Sequence, residues 1–260
     1  MKPDYKKLSD YFTKHKYVVV KNFLSKKEIE LLYHYCNSKV RRKTYLDKYV
    51  EYEKEGLKGF VDTLEGTFTD RQAVGAYSCY GDAMMDTLLE KSLEKMCMIT
   101  GLDLVPNYSY WRMYKHKNDL KRHKDRASCE ISTTLTLGYE HNLPKKYCWP
   151  IYVEPDTSKG GVDKETGKYK SDMTKGVKCE LEPGDMLVYR GCVLEHWREQ
   201  FIGEQHAQVF LHYNDKNGPI GESLTNDTRP ALGLPGGFRQ PNRAKEVEEK
   251  LSKFIKYSYE

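Results

Sequence analysis

A chain of 260 residues is long enough to bury roughly 70 to 75% of the surface its unfolded form would expose, so a full core is expected without disulfides or metal staples. Its 43 basic and 38 acidic residues leave a net charge of +5 but are interleaved along most of the chain, which argues against the clustered basic stripe of a nucleic-acid binder. Seven scattered cysteines, odd in number and never spaced C-x-x-C, argue against a disulfide framework or zinc knuckle and for a reducing cytosol, and no apolar run approaches the length of a membrane span.

The opening "MKPDYKKLSDYFTKHKYVVV" has no apolar signal core, and residues 4–15 read as a short helix. The β-branched run "YVVVKNFL" reads as a strand, followed by the helix "SKKEIELLYHYCNSKV". Ser25 is its N-cap and Glu28 closes a capping box ahead of Ile29, Leu32, Tyr33 and Cys36 at helical spacing. A further helix spans "GDAMMDTLLEKSLEKMCMITG", between Asp82 and Gly101, with Met84, Met85, Met96 and Met98 read as core packing. From about residue 107 short runs rich in Tyr, Thr, Val, Ile and Leu alternate with turn residues, namely "YSYWRMYK", "EISTTLTLGY", "WPIYVE", "VKCELEPGDMLVYRG" and "AQVFLHYN". These predict a β core. The polar, Gly- and Lys-rich stretch 155–176 is too long for a hairpin turn and reads as a surface loop or lid. The end, "EVEEKLSKFIKYSYE", reads as a closing amphipathic helix. One α+β domain over 1–260 follows, with a helical part at about 1–104, a β core at about 105–215 and an extension at about 216–260.

The chemistry concentrates in "KRHKDRASCEIS". Along a strand, side chains two residues apart share a face, so His123 and Asp125 can present a nitrogen and an oxygen into one space. A third ligand is needed, and "PGDMLVYRGCVLEHWREQ" supplies the candidate His196 after a Pro183-Gly184-Asp185 turn, a strand and a turn at Gly191. Two imidazoles and one carboxylate on one side of a metal form the facial triad of non-haem Fe(II) oxygenases, with open positions for a 2-oxo acid and O₂. The same donors suit zinc, so a cupin-like hydrolase or isomerase is the alternative, and a non-catalytic jelly-roll binding module is the third reading. Oxygen uptake coupled to succinate release separates the first from the others.

With these motifs in place, residues from about 105 to 214 resemble the 2-oxoglutarate/Fe(II)-dependent oxygenase superfamily, in its prolyl-4-hydroxylase-like and phytanoyl-hydroxylase-like layout. The "YVVVKNFLSKKEIELL" segment adds to the resemblance. It implies a double-stranded β-helix (jelly roll, cupin-like), with supporting helices before it and a helix after it. It also implies Fe(II) held by His123, Asp125 and His196 as the catalytic metal centre, with 2-oxoglutarate and O₂ as cosubstrates. Tyr114 matches a tyrosine that lines the 2-oxoglutarate pocket. The family's cation about ten residues after the second histidine is missing, because His206 stands there. Arg198, on the same strand face as His196, is the first choice for the distal carboxylate, with Arg112 and His206 as alternatives. Arg126, Glu130 and Gln208 are candidate substrate contacts, and Trp197 reads as packing. Histidines 15, 34, 116, 141 and 212 read as structural or exposed. Halogenases that resemble this site have Gly or Ala in place of the aspartate, so Asp125 implies hydroxylation. The expected substrate is an amino acid, a peptidyl residue or a related small molecule, with no nucleic acid or membrane partner.

Overall fold

The computed structural model describes residues 3–49, 56, 58–163, 165–240, 245–247 and 249. Helix α1 (Tyr5–His15) starts at Asp4, whose carboxylate accepts from the Lys7 amide at 3.1 Å, and leads into strand β1 (Tyr17–Val20). Helix α2 (Lys26–Tyr49) runs further than its sequence pattern implied. Its capping box is present: the Ser25 amide donates to Glu28 Oε2 at 2.8 Å, and the Glu28 amide donates to Ser25 Oγ at 3.4 Å. Helix α3 (Lys58–Glu65) and strand β2 (Tyr77–Tyr80) follow, neither of which the sequence pattern announced. Helix α4 (Ala83–Thr100) has Asp82 as its cap and ends at Gly101, whose φ of 72° lets the chain turn sharply away.

The β region comprises β3 (Leu104–Lys115), β4 (Leu120–His123), β5 (Ile131–Glu140), β6 (Ile151–Val153), β7 (Gly161–Val162), β8 (Tyr169–Lys170), β9 (Val177–Cys179), β10 (Met186–Tyr189), β11 (His196–Arg198) and β12 (Gln205–Asp215). These form a six-stranded sheet, β1-β10-β5-β12-β3-β2, and a four-stranded sheet, β4-β11-β6-β9, antiparallel throughout, with β7 and β8 as a separate ribbon. Two antiparallel sheets face to face are the jelly-roll architecture that the resemblance implied.

The larger sheet has two unlike faces because successive side chains alternate across it. Trp111, Met113, Ile131, Leu135, Leu137, Val188, Val209 and Leu211 pack against Phe12 of α1, Leu32 and Cys36 of α2, and Met85, Leu89 and Met96 of α4. Each such side chain contributes about 1.5–3 kcal/mol on full burial. Met85 and Met96 are buried as expected, whereas Met98 is 38% exposed and adds little to this core. The other face turns toward the four-stranded sheet and is mostly polar. The closing helix expected over 246–260 lies largely outside the described residues.

Candidate active site

His123 and His196 stand directly opposite one another on the neighbouring strands β4 and β11, with ring centroids 4.3 Å apart. Each Nδ1 faces a backbone carbonyl, Lys121 O at 2.7 Å from His123 and Leu194 O at 3.0 Å from His196. A carbonyl only accepts, so each Nδ1 holds the proton and each Nε2 presents a lone pair to the space between the rings. Asp125 Oδ1 lies in that space, 3.4 Å from His123 Nε2 and 3.5 Å from His196 Nε2. Those separations are shorter than twice a metal–ligand bond of about 2.1 Å, so one ion can touch all three atoms. Burial opposes ionisation of Asp125, but charge attraction and hydrogen bonding from the two imidazoles in their protonated form hold its carboxyl well below the usual range. The aspartate is not on the strand with His123, as its i, i+2 spacing suggested. It sits just past the end of β4, where its amide donates to Gly191 O at 2.9 Å.

The carboxylate is positioned by residues that the sequence reading passed over. Ser132 Oγ donates to Asp125 Oδ2 at 2.8 Å and lies 3.1 Å from His212 Nδ1. Gly191 was expected only to turn the chain, yet a Cβ there would run into Asp125 Oδ2 and into the Ser132 side chain. The turn needs a glycine because the Asp125 carboxylate and the Ser132 side chain occupy the space. His212, expected to be structural or exposed, lines the cavity at the site, and burial pushes its imidazole down to about 4, leaving it neutral.

A cavity of about 460 Å³ opens beside the triad. On one wall Asp70, Gln72, Tyr110 and Arg112 stand together. The Arg112 guanidinium is already engaged, by Asp70 at 2.6 Å, Gln72 at 2.5 Å and the Tyr114 hydroxyl at 3.1 Å. Arg126 and Arg239 also line the cavity and share one fully buried carboxylate, Asp227, at 3.2 and 2.9 Å.

Arg198 lies deeper between the sheets, 2% exposed, on the same face of β11 as His196. Its Nη1 donates to Trp149 O at 2.6 Å and its Nη2 to Gln208 Oε1 at 3.1 Å, while Nε has no hydrogen-bond partner and no acidic side chain among the described residues pairs with it. Burial without a counter-charge holds the guanidinium below its ordinary value. Gln208 does point inward, but as a brace: its Nε2 donates to Thr134 Oγ1 at 2.6 Å while its Oε1 receives Arg198. His206 is 2.7 Å from the same oxygen, and burial pushes it down to about 3. A neutral imidazole is a weaker partner for a carboxylate than a guanidinium is. Tyr114 is fully buried, edge-on to Trp149, with its hydroxyl at Arg112.

Two expectations need correction. Glu130 does not enter the cavity: it accepts from Arg190 at 3.3 Å and from the Asp215 amide at 3.1 Å, while Cys129 lines the cavity instead. Strict alternation fails there because residues 127–130 form a turn and a bend before β5 begins. Nor does any described residue of 155–176 line the cavity. That segment packs on the outside of β4 and β11.

No protein-family model matches the chain, and no curated protein matches it in sequence. Among solved structures it is similar to a prolyl-4-hydroxylase from Pseudomonas putida, at 16% identity over 81% of this chain and 98% of that one, with a TM-score of 0.51. EctD from S. alaskensis in its apoform superposes at 16% identity over 90% of this chain and 84% of that one, with a TM-score of 0.55. The non-heme alpha-ketoglutarate-dependent carbocyclase SnoK from nogalamycin biosynthesis does so at 14% identity over 81% and 84%, with a TM-score of 0.54. At these identities the likeness is one of architecture, and the chain has the jelly-roll fold of the 2-oxoglutarate/Fe(II) oxygenases.

Proposed function

We propose that the protein is an Fe(II)- and 2-oxoglutarate-dependent oxygenase that hydroxylates a C–H bond of a small molecule or peptidyl residue carrying an acidic group. The observation that carries this reading is the convergence of His123 Nε2, His196 Nε2 and Asp125 Oδ1 beside an open cavity, with both imidazoles locked by backbone carbonyls in the ligating tautomer. Bound Fe(II) supplies the site at which O₂ and the 2-oxo acid react. The exchange balances with one oxygen atom entering the product and the other entering succinate: R–H, O₂ and 2-oxoglutarate give R–OH, succinate and CO₂.

The residues of this chain bind and orient. Arg198 is the group we assign to the distal carboxylate of 2-oxoglutarate, because a buried guanidinium without an acid partner is what a bound dianion neutralises. Two residues of strand span about 6.6 Å, which is of the order of the length of a five-carbon diacid, so one strand face can serve both of its ends. Arg112 is second to it, since Asp70 already supplies its carboxylate. Tyr114 and Gln208 hold these two arginines in place. Arg126, which lines the cavity, is the residue we assign to an acidic group on the primary substrate. The free thiols of all seven cysteines suit a reducing cytosol, and no helix among the described residues is long and apolar enough to cross a membrane.

Neighbours on this fold include a carbocyclase and an epimerase, so the reaction outcome has to be read from the product. Anaerobic Fe(II) titration, followed by O₂ uptake and succinate release against free amino acids, short proline peptides and other carboxylates, tests the proposal. A product heavier by one oxygen supports hydroxylation, one lighter by two hydrogens indicates ring closure, and unchanged mass with inverted stereochemistry indicates epimerisation. Failure to retain Fe(II), or retention without succinate, overturns the oxygenase reading.

A further inference from the structure

Of the residues flanking the two histidine ligands, Lys124 borders the cavity while Arg122, Glu195 and Trp197 do not, and all four meet one segment of the chain. Arg122 and Lys124 bracket His123, and Glu195 and Trp197 bracket His196. Lys124 Nζ donates to Thr157 O at 2.9 Å and to Gly160 O at 2.8 Å. Arg122 Nη2 donates to Thr174 O at 2.7 Å, its Nη1 lies 3.2 Å from Glu195 Oε2, and its guanidinium covers the Trp197 ring at 3.4 Å. The Tyr169 hydroxyl donates to Glu195 Oε1 at 3.0 Å. Thr157, Gly160, Tyr169 and Thr174 all lie in the described residues of 155–176.

The fit at both ends of that segment is close. Gly160 has φ +67°, and a Cβ on it would strike the Tyr169 hydroxyl and come within 2.9 Å of Glu195 Oε1. Gly176 has φ +60°, and a Cβ on it would strike the Trp197 ring and come within 3.0 Å of Val153 O. Within the segment, β7 and β8 are a two-residue ribbon with largely exposed side chains, and an isolated hairpin of this kind is marginal in water. Its docking therefore depends on Arg122, Lys124, Glu195 and Trp197, the four residues whose backbone carries the two imidazoles.

We infer that the described residues of 155–176 form a clasp on the outer side of β4 and β11 that positions His123 and His196, so that docking of the segment and metal binding strengthen each other. The inference rests on reading the triad as one metal site. Lys124, Glu195 and Tyr169 are positioning residues here: they act on the metal through the strands, without touching it. Coupling of this kind is reciprocal, so the factor by which docking tightens metal binding is the factor by which metal binding favours docking.

Two measurements test it, with Mn(II) and anaerobic Fe(II) as probes. Wild-type protein is titrated first, since failure to retain either ion removes the metal site and the clasp with it. Given retention, metal is expected to slow protease cleavage within 155–176, and Lys124→Met and Tyr169→Phe are each expected to raise the metal dissociation constant by about tenfold, as loss of residues supporting metal ligands does elsewhere. Lys124→Arg, which can still donate to both carbonyls, is expected to restore affinity, and exposed Lys170→Ala to leave it unchanged. Melting of the metal-free variants separates the two roles: a purely structural contact lowers that melting temperature and leaves the metal-induced rise intact, whereas a positioning contact reduces the rise. If cleavage becomes faster in Lys124→Met and Tyr169→Phe while their metal affinity stays within twofold of wild type, the clasp is overturned.

Discussion

Along β12, Ala207, Val209, Leu211 and Tyr213 turn toward the helices, while His206, Gln208, Phe210 and His212 turn toward the four-stranded sheet. One strand thus serves two environments of different physics. On the helix side the attraction is non-directional burial, which tolerates any apolar side chain of about the right volume. On the inner side polar groups are held by directional contacts: Ser132 on Asp125, Gln208 on Thr134 and Arg198, Arg112 on Asp70. A change there leaves a buried group unmatched. The outer face makes the chain fold, and the inner face sets which atoms meet in the cavity.

The sharpest way to break this comparison is at the metal site. His196→Ala is expected to abolish retention of Fe(II) in anaerobic titration, and Gly191→Ala to weaken it by about 10- to 100-fold by displacing the Asp125 carboxylate. Neither should lower the melting temperature of the metal-free protein as much as a core truncation does. Leu135→Ala, on the helix face, is the converse. It is expected to cost about 2–5 kcal/mol in urea unfolding with Fe(II) affinity per folded molecule unchanged.

A smaller effect separates the two arginines. Removing a charge-assisted contact costs about 1.5–3 kcal/mol, so Arg198→Gln is expected to raise the KM for 2-oxoglutarate by about tenfold or more with kcat at saturation little altered. Arg112→Gln instead leaves Asp70 buried without its partner and is expected to act mainly on stability. If steady-state kinetics show the reverse, the assignment of the distal carboxylate moves to Arg112.

The smallest effect is a slope. His206 has an ordinary value of 6.5 and is pushed down to about 3 by burial. Between those two values the unfolded chain binds a proton that the folded chain does not, so stability falls as pH falls through that window. One such group contributes at most about 1.4 kcal/mol per pH unit. Denaturation of His206→Gln at a series of pH values is expected to show a correspondingly shallower acid limb.

The triad was legible because its residue types are unusual together and because strand, turn and histidine recur in a recognisable order. Capping at Ser25, Asp82 and Gly101 was legible because caps act within a few residues of the chain. Strand β2 was not, since "YSCY" is too short to show alternation and takes its form from pairing with β3, and α3 was not, since its eight residues are fewer than a stable isolated helix needs. Glu130 misled because alternation was carried through a turn. The segment 155–176 was legible as a surface loop, but its composition does not report which surface it lies on.

What the amino-acid order determined by itself is therefore local: helix starts and stops, the alternation that splits β3, β5 and β12 into an apolar and a polar face, and the residue types at 123, 125 and 196 that could hold a metal. Only the tertiary structure decided that Gly191 must leave room for a carboxylate, that Arg198 is buried without an acid while Arg112 has one, and that the neighbours of both histidines grip one outer segment. Those facts depend on distances between strands far apart in the chain, and no periodicity within a strand encodes what the opposite sheet places against it.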